Sequence, residues 1–192
     1  MIRRNVRIAA FAALCLAAVS CSKGQPGAGA GADSSAQAAA AMTPVQRGQY
    51  LVAVIGCGDC HTPGTLYGAP DMSRQLSGSE LGWQGPWGVS YARNLTPDST
   101  GLASWTDEEI IRAIQNGVKK DGSPIMPPMP WPDFAHLTNS DVHAIVAYLR
   151  SIPPVHHVAP DRLPMGAKPK TPVLTFPPAP DWDKQHAAAG AP

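Results

Sequence analysis

Three stretches of the chain repeat apolar residues at helical spacing and carry the residues that start and stop helices. Residues 43–55 open with Thr43 as a candidate N-cap and Pro44 at the first helical position, and a glycine follows them. Residues 106–117 open on a capping box and end on glycine, whereas residues 138–152 end at a proline pair. Because no alternating strand pattern of useful length appears, the sequence predicts an all-α domain.

The segments that connect these predicted helices are long and rich in glycine and proline. Residues 62–104 and 118–137 show no regular pattern, and irregular stretches of that length count against a self-sufficient protein core. Nine of the 12 aromatic residues lie between Tyr50 and Tyr148, so the part that folds is nearer a hundred residues than 192. Such a chain is expected where it wraps a large apolar group that completes the core.

Both ends of the chain have the composition of targeting signals and flexible or extended segments. Residues 1–20 combine arginines with an apolar run too short to span a bilayer, which predicts a secretory signal peptide. Small residues precede Cys21 as in a bacterial lipobox, so we expect a lipid on Cys21; the alternative is an ordinary signal peptide cut nearby. Residues 21–42 predict a flexible linker, and the Pro-rich tail 155–192 predicts an extended segment that wraps the domain or docks a partner.

The charge balance excludes one broad class of function. The chain has 15 basic and 14 acidic residues, which rules out a nucleic-acid binder held by bulk positive charge. Within the predicted domain, residues 43–154, seven basic residues face ten acidic ones. The folded part is therefore expected to be mildly acidic.

The chemistry is carried by Cys57-Gly58-Asp59-Cys60-His61, directly after the first predicted helix. A C-x-x-C-H run is typical of c-type haem attachment, in which two thiols add to the vinyl groups and the histidine ligates the iron. A thioredoxin-like dithiol would need a βαβ context, and a zinc site would need further ligands at suitable spacing. The sequence therefore predicts one covalently bound haem c, held by Cys57 and Cys60, with His61 as the proximal iron ligand.

A second iron ligand must come from elsewhere in the chain unless the distal position is open. Residues 125–131 read Ile-Met-Pro-Pro-Met-Pro-Trp, which places Met126 and Met129 in a stretch too rich in proline for a helix. A thioether is a soft, neutral ligand that favours reduced iron, whereas the alternative role for a methionine is core packing. Histidines are the other candidates for a distal ligand: His136, His143, His156, His157 and His186.

Taken together, these motifs resemble the bacterial class I mono-haem c-type cytochromes, and in particular those associated with dehydrogenases. The resemblance covers about residues 43–154. It is carried by Arg47-Gly48-Gln49-Tyr50-Leu51, Gly56 to Pro63, Asn94-Leu95-Thr96-Pro97-Asp98, Thr100-Gly101, Trp105 to Glu109, Gly117-Val118, Asp121-Gly122, Met129-Pro130-Trp131 and Ala147-Tyr148-Leu149-Arg150. It implies the small cytochrome c fold, in which three to five helices wrap one haem.

The same resemblance implies roles for individual residues. Met129 matches the family's Met-Pro-aromatic element and becomes the distal ligand, with Met126 as the alternative. Pro63 and the loop after it would offer a backbone carbonyl to the proximal histidine. Candidates for the propionate side of the haem are Arg93, Asn94 and Trp105, and the tyrosines expected beside the crossing of the first and last helices are Tyr50 and Tyr148.

These features predict an electron carrier and not an enzyme. The expected partners are a periplasmic or membrane dehydrogenase as donor and a cytochrome or oxidase as acceptor. Two alternatives stay open: an obligate haem subunit of a membrane-associated dehydrogenase complex, and a haem enzyme or gas sensor with an open distal site. We expect the protein in the periplasm, anchored through Cys21, with Ser22 favouring the outer membrane.

Overall fold

The computed structural model describes residues 42–177, and five helices lie in that range. The three predicted helices are present, beginning at Pro44, Asp107 and Asn139, and two shorter helices join them. The five are α1 (Pro44–Val54), α2 (Cys57–His61), α3 (Asp107–Asn116), α4 (Trp131–Phe134) and α5 (Asn139–Ser151). Two 3₁₀ turns, Thr65–Tyr67 and Met72–Arg74, follow α2. The predicted signal peptide, the lipidated cysteine, the linker apart from Met42, and residues 178–192 of the predicted tail lie outside the described residues.

Side-chain caps start the long helices where the sequence predicts them. The Thr43 side chain accepts from the backbone N–H of Gln46, and the Gln46 side chain accepts from the backbone N–H of Thr43 at 2.9 Å. Thr106 and Glu109 form the same reciprocal pair at the start of α3. Each pair satisfies N–H groups that the first turn of a helix leaves without a partner.

The core forms where α1 crosses α5. At the crossing, Gly48 of α1 is buried, and a Cβ built on it would lie only 1.9 Å from the carbonyl oxygen of Ala144 in α5. The two backbones therefore touch, which is possible because glycine has no side chain. Around this point, apolar side chains pack into one buried cluster: Leu51, Val52, Leu76, Leu102, Ile110, Ala144, Ile145, Val146, Tyr148 and Leu149.

A small sheet stands beside the helices, so the all-α prediction is confirmed only for the helical part. The strands are β1 (Gly82–Gly85), β2 (Gly88–Tyr91) and β3 (Val173–Thr175), in the order β2-β1-β3. β1 pairs antiparallel with β2 and parallel with β3. No strand exceeds four residues in the part of the chain that the structure describes, and glycines occupy three of the four ends of the β1–β2 hairpin. Strands this short and this rich in glycine leave no alternating pattern in the sequence.

The first part of the tail, residues 155–177, runs back along the domain, and we call it the strap. It begins with hydrogen bonds to Asn94 and Thr96, forms a bridge between Leu163 and Val89, and ends as β3 against β1. Within residues 42–177, the strap therefore wraps the domain, an arrangement that periodicity alone left undecided. Among the residues described, no helix has the length and apolar character needed to cross a membrane.

Candidate functional site

The C-x-x-C-H motif forms α2, a helix of five residues directly after α1. Gly56 separates the two helices with a φ of 74°, a left-handed conformation that suits glycine and turns the chain between them. Cys57 and Cys60 are three residues apart, so their side chains lie on the same side of this short helix. Both are free thiols, and His61 ends the helix beside them.

The two thiols are held in the protonated form by their surroundings. The Cys57 side chain packs against the apolar core, and burial raises its pKa to about 11, with a smaller contribution from the nearby Cys60 and Asp59. Burial also raises the pKa of Cys60, and the charge of Asp59 adds to the effect. At neutral pH both residues are therefore thiols, in a site that disfavours charge.

His61 is a neutral imidazole with a fixed orientation. Its Nδ1 lies 2.7 Å from the backbone carbonyl oxygen of Arg93, an acceptor, so Nδ1 carries the proton and Nε2 keeps its lone pair. Burial lowers the pKa of His61, and the bond to Arg93 opposes this effect. A backbone carbonyl from Pro63 or the loop after it was predicted to orient the imidazole, and the loop supplies it through Arg93. The carbonyl of Pro63 itself does not, since it accepts from the backbone N–H of Asp71 at 2.8 Å.

The acceptor for His61 belongs to a loop that is bound to α2 at further points. Gly78 donates its backbone N–H to the carbonyl oxygen of His61 at 2.8 Å. Buried Thr62 accepts through Oγ1 from the N–H of Leu76 at 3.0 Å, and the Leu76 carbonyl accepts from Leu95 at 2.8 Å. Sequence reasoning missed these contacts because backbone groups supply most of them, and any residue type carries such groups.

The segment with the two methionines is held by hydrogen bonds to groups on either side of it. The N–H of Ile125 donates to the Gly117 carbonyl at 2.7 Å, and the Ser90 hydroxyl in β2 donates to the Pro127 carbonyl at 2.5 Å. Met126 and Met129 are both half-buried. These contacts place the segment against the hairpin but do not separate the two methionines, so the choice of Met129 over Met126 stays a prediction.

The histidines that compete for the distal position have other contacts or are exposed. In α5, Nδ1 of His143 lies 2.6 Å from the carbonyl oxygen of Asn139, and the residue is exposed, as is His136. His157 uses both ring nitrogens, with Nδ1 near the Ser77 carbonyl and Nε2 near the Glu80 carboxylate. His156 is exposed and lies by Asp98, and His186 is outside the described residues.

The residues predicted for the propionate side have well-defined partners in the structure. The amide nitrogen of buried Asn94 donates to Thr100 at 2.9 Å and to the Val155 carbonyl at 2.8 Å. The Arg93 guanidinium bonds to the strap. Trp105 lines an open cavity of about 500 Å³ together with Lys119, Lys120 and Asp121. A propionate role for Arg93, Asn94 or Trp105 stays a prediction.

Comparison with known proteins identifies the region that contains this site. The family model for cytochrome c matches residues 45–153, more than half of the chain. The cytochrome c subunit of a quinone-dependent alcohol dehydrogenase from Gluconobacter oxydans (strain 621H) is 35% identical over 121 residues, which are 61% of this chain and 24% of that protein. The fructose dehydrogenase cytochrome subunit of Gluconobacter japonicus is 31% identical over 58% of this chain and 22% of its own length.

A third relative belongs to a dehydrogenase with a different substrate. The gluconate 2-dehydrogenase cytochrome c subunit of Pantoea cypripedii is 32% identical over 117 residues, which are 60% of this chain and 24% of that protein. The chain thus spans about a quarter of the length of each of these three relatives.

Proposed function

Because the chain belongs to the cytochrome c family, we propose that it is an electron-transfer protein with one covalently attached haem c and no catalytic activity of its own. The observation that carries the proposal is the single C-x-x-C-H helix in which His61 is neutral and oriented by the Arg93 carbonyl. An oriented imidazole with a free Nε2 is prepared to ligate iron.

The donor set of α2 fits haem c. Thioether formation needs two thiols about one helical turn apart, and Cys57 and Cys60 are both free and share α2. The same burial that raises the pKa of Cys57 to about 11 also gives the thiols an apolar environment, as a macrocycle requires. His61 follows at once and would ligate the iron through Nε2, since Nδ1 is committed to the Arg93 carbonyl.

The distal ligand that we propose is Met129, with Met126 as the alternative. The proposal is supported by Met129-Pro130-Trp131 and by the half-buried position of the segment beside the hairpin. Haem bound in this way supplies an iron that cycles between the ferric and ferrous states. The chain's part would be to hold the iron through His61 and one methionine, exclude water and set the potential through ligand, burial and hydrogen bonds.

We further propose that the electrons come from a periplasmic or membrane dehydrogenase and leave to a cytochrome or oxidase. The names of the relatives support this role, because all three are cytochrome subunits of dehydrogenases. The basic and apolar residues 1–20, followed by Cys21, support export to the periplasm and a lipid anchor, with the outer membrane favoured by Ser22.

The second candidate function is an obligate haem subunit of a dehydrogenase complex. It is favoured by the same relatives, whose names describe subunits. Co-purification of a catalytic chain after mild detergent extraction would support it. Because residues 155–177 pack on the domain, the informative deletion removes only residues 178–192, which tests docking by the end of the tail without disturbing the strap.

Visible spectroscopy of matched methionine variants tests the ligand set. Met129→Ala should lower the midpoint potential and remove the methionine–iron absorption band, whereas Met126→Ala should leave both unchanged. The opposite result would assign Met126. Rapid carbon monoxide binding to the reduced wild-type protein would instead indicate an open distal site and contradict the electron-carrier proposal.

Intact mass tests the covalent chemistry. The mature protein should carry the mass of one haem, and Cys57→Ser with Cys60→Ser should remove it. Acyl chains that disappear in Cys21→Ala would establish the lipid anchor. A mature chain that lacks both acyl groups and residues 1–20 would support the alternative of a soluble periplasmic protein.

A further inference from the structure

Arg93, whose carbonyl orients His61, is 32 residues away from it along the chain. Other contacts must therefore hold the loop that contains Arg93 next to the imidazole. We call residues 76–98 the proximal loop. It contacts His61 twice, through the carbonyl of Arg93, which accepts from Nδ1, and through the N–H of Gly78, which donates to the His61 carbonyl. Within this loop, β2 is only four residues long, and a strand of that length has little stability by itself.

The strap binds one end of the proximal loop through buried polar groups. Asn94 and Thr96 are 3% and 0% exposed. The Asn94 amide donates to the Val155 carbonyl at 2.8 Å, and the Val155 N–H donates to the Thr96 hydroxyl at 3.1 Å. Buried polar side chains are costly to leave without partners, so this contact ties the start of the strap to the loop next to Arg93.

The strap binds the other end of the loop through His157. Nδ1 of His157 lies 2.7 Å from the Ser77 carbonyl, the neighbour of Gly78, and Nε2 lies 3.0 Å from Glu80. The His157 side chain is only 13% exposed, and Glu80 also accepts two hydrogen bonds from Arg74. His157 thus bonds to the chain on both sides of the residue that donates to His61.

A third contact reaches the orienting residue itself. The Arg93 guanidinium donates to the carbonyl of buried Ala159 at 2.9 Å, and it lies 3.0 Å from Asp161. Asp161 is 95% exposed, so its ion pair with Arg93 adds little, and the bond to Ala159 is the firmer one. The strap therefore contacts residues on both sides of Gly78 and the side chain of Arg93.

We propose that the strap acts as a brace for the proximal iron ligand, with His157 as a positioning residue. This proposal rests on the proposed function, in which His61 ligates the haem iron. A short bond from Nδ1 to a carbonyl makes the imidazole a more basic ligand, which stabilises the ferric state and lowers the reduction potential. Loosening the strap lengthens that bond on average and raises the potential.

The test compares His157→Leu with His156→Leu in the haem-loaded protein. His157→Leu removes both part-buried contacts. His156 is the control on the same segment, because it is 73% exposed and lies only by Asp98, the last residue of the loop, which bonds to neither His61 nor Gly78. We expect His157→Leu to raise the potential by up to about 59 mV, the value of a tenfold change in a one-electron equilibrium, with His156→Leu unchanged. Nuclear magnetic resonance of the reduced protein should show faster exchange of the His61 Nδ1 proton and the Gly78 amide only in His157→Leu.

Hydrogen exchange in the wild-type protein gives a second measurement that needs no variant. The backbone N–H groups of Val155 and Leu163 in the strap should exchange together with that of Gly78, because the loop opens only when the strap does. His157→Gln, which retains a donor for the Ser77 carbonyl, should recover part of the wild-type potential.

Two outcomes would overturn the brace. One is a wild-type potential and normal Gly78 exchange in His157→Leu. The other is strap amides that exchange freely while Gly78 stays protected in the wild type, a result that also decides the question if His157→Leu does not fold. Failure of the proposed function looks different, because a wild-type spectrum without histidine-ligated, low-spin haem would remove its basis whatever the strap does.

Discussion

Gly48→Ala tests whether the contact between the backbones of α1 and α5 holds the core together. In an isolated helix this change is favourable, because alanine exceeds glycine by about 1 kcal/mol in helix propensity. In this protein the added Cβ would lie 1.9 Å from the Ala144 carbonyl oxygen and 2.8 Å from Cβ of Tyr148. The propensity and the clash therefore predict opposite signs for the change in stability.

The clash should dominate by about 2 kcal/mol. An ordinary Cβ contact lies at 3.4–4 Å, so the helices would need to separate by about 1.5 Å at this point. Overpacking costs roughly 1–3 kcal/mol, and the upper end applies because the contacted oxygen and carbonyl carbon of Ala144, at 1.9 and 2.6 Å, belong to the backbone and have no other rotamer. Subtracting the gain of about 1 kcal/mol in propensity leaves a net loss of about 2 kcal/mol.

Urea unfolding followed by the helical circular dichroism signal measures this loss. The matched control is Gly58→Ala in α2, where the added Cβ would meet only the Thr62 hydroxyl at 3.6 Å, an ordinary contact. We expect a clearly lower midpoint for Gly48→Ala and a neutral or slightly higher one for Gly58→Ala. A Gly48→Ala protein as stable as the wild type would refute the close approach of α1 and α5.

Two further changes test polar contacts that helix side chains make with the rest of the domain. Arg150→Lys loses the planar fork that donates to the Leu102 carbonyl at 2.8 Å and to the Trp105 carbonyl, so urea unfolding should show a loss of about 1–2 kcal/mol. Asp141→Asn tests the pH dependence of stability. The hydrogen bond from Arg47 holds the pKa of Asp141 below its ordinary value. The stabilisation that the Asp141 carboxylate gives to the fold is therefore present above about pH 4 and is lost as pH falls through the folded-state pKa. The difference in unfolding free energy between wild type and Asp141→Asn should therefore shrink with acid.

Each of these predictions has a result that contradicts it. Arg112 is exposed on α3, and the structure shows no ion pair for it within residues 42–177, so Arg112→Lys should leave stability unchanged. Equal losses for Arg150→Lys and Arg112→Lys would mean that the carbonyl contacts contribute nothing. A difference for Asp141→Asn that persists at acidic pH would show that its carboxylate charge is not what stabilises the pair.

Local chemistry explains why the long helices and the haem motif were predictable. A threonine cap bonds to groups within three residues of itself, as Thr43 and Thr106 do. Such a cap can be recognised from neighbouring residues in the sequence. The C-x-x-C-H motif is equally local, because one helical turn brings Cys57, Cys60 and His61 together. The family match over residues 45–153 agrees with this interpretation.

Pairing between distant segments explains what was missed. β1 has glycine at both ends, and its second neighbour in the sheet is β3, about ninety residues later in the chain. No residue pattern within either strand therefore predicts the sheet. The acceptor for His61 is likewise a backbone carbonyl 32 residues away, and a carbonyl leaves no mark on residue type. The choice between Met126 and Met129 depends on the direction of a flexible thioether side chain, and the spectra of the two methionine variants will decide it.

The sequence by itself determined the chemistry of this protein, two thiols and an imidazole on one helical turn. It also determined the long helices, through their capping residues, and the limited length of the part that folds. Only the tertiary structure decided how that chemistry is oriented. It brought Arg93 to the imidazole of His61 and laid the strap along the proximal loop. The physical reason is range, since caps and motifs act within one turn, whereas the bonds that orient the ligand join backbone groups that only the folded chain brings together.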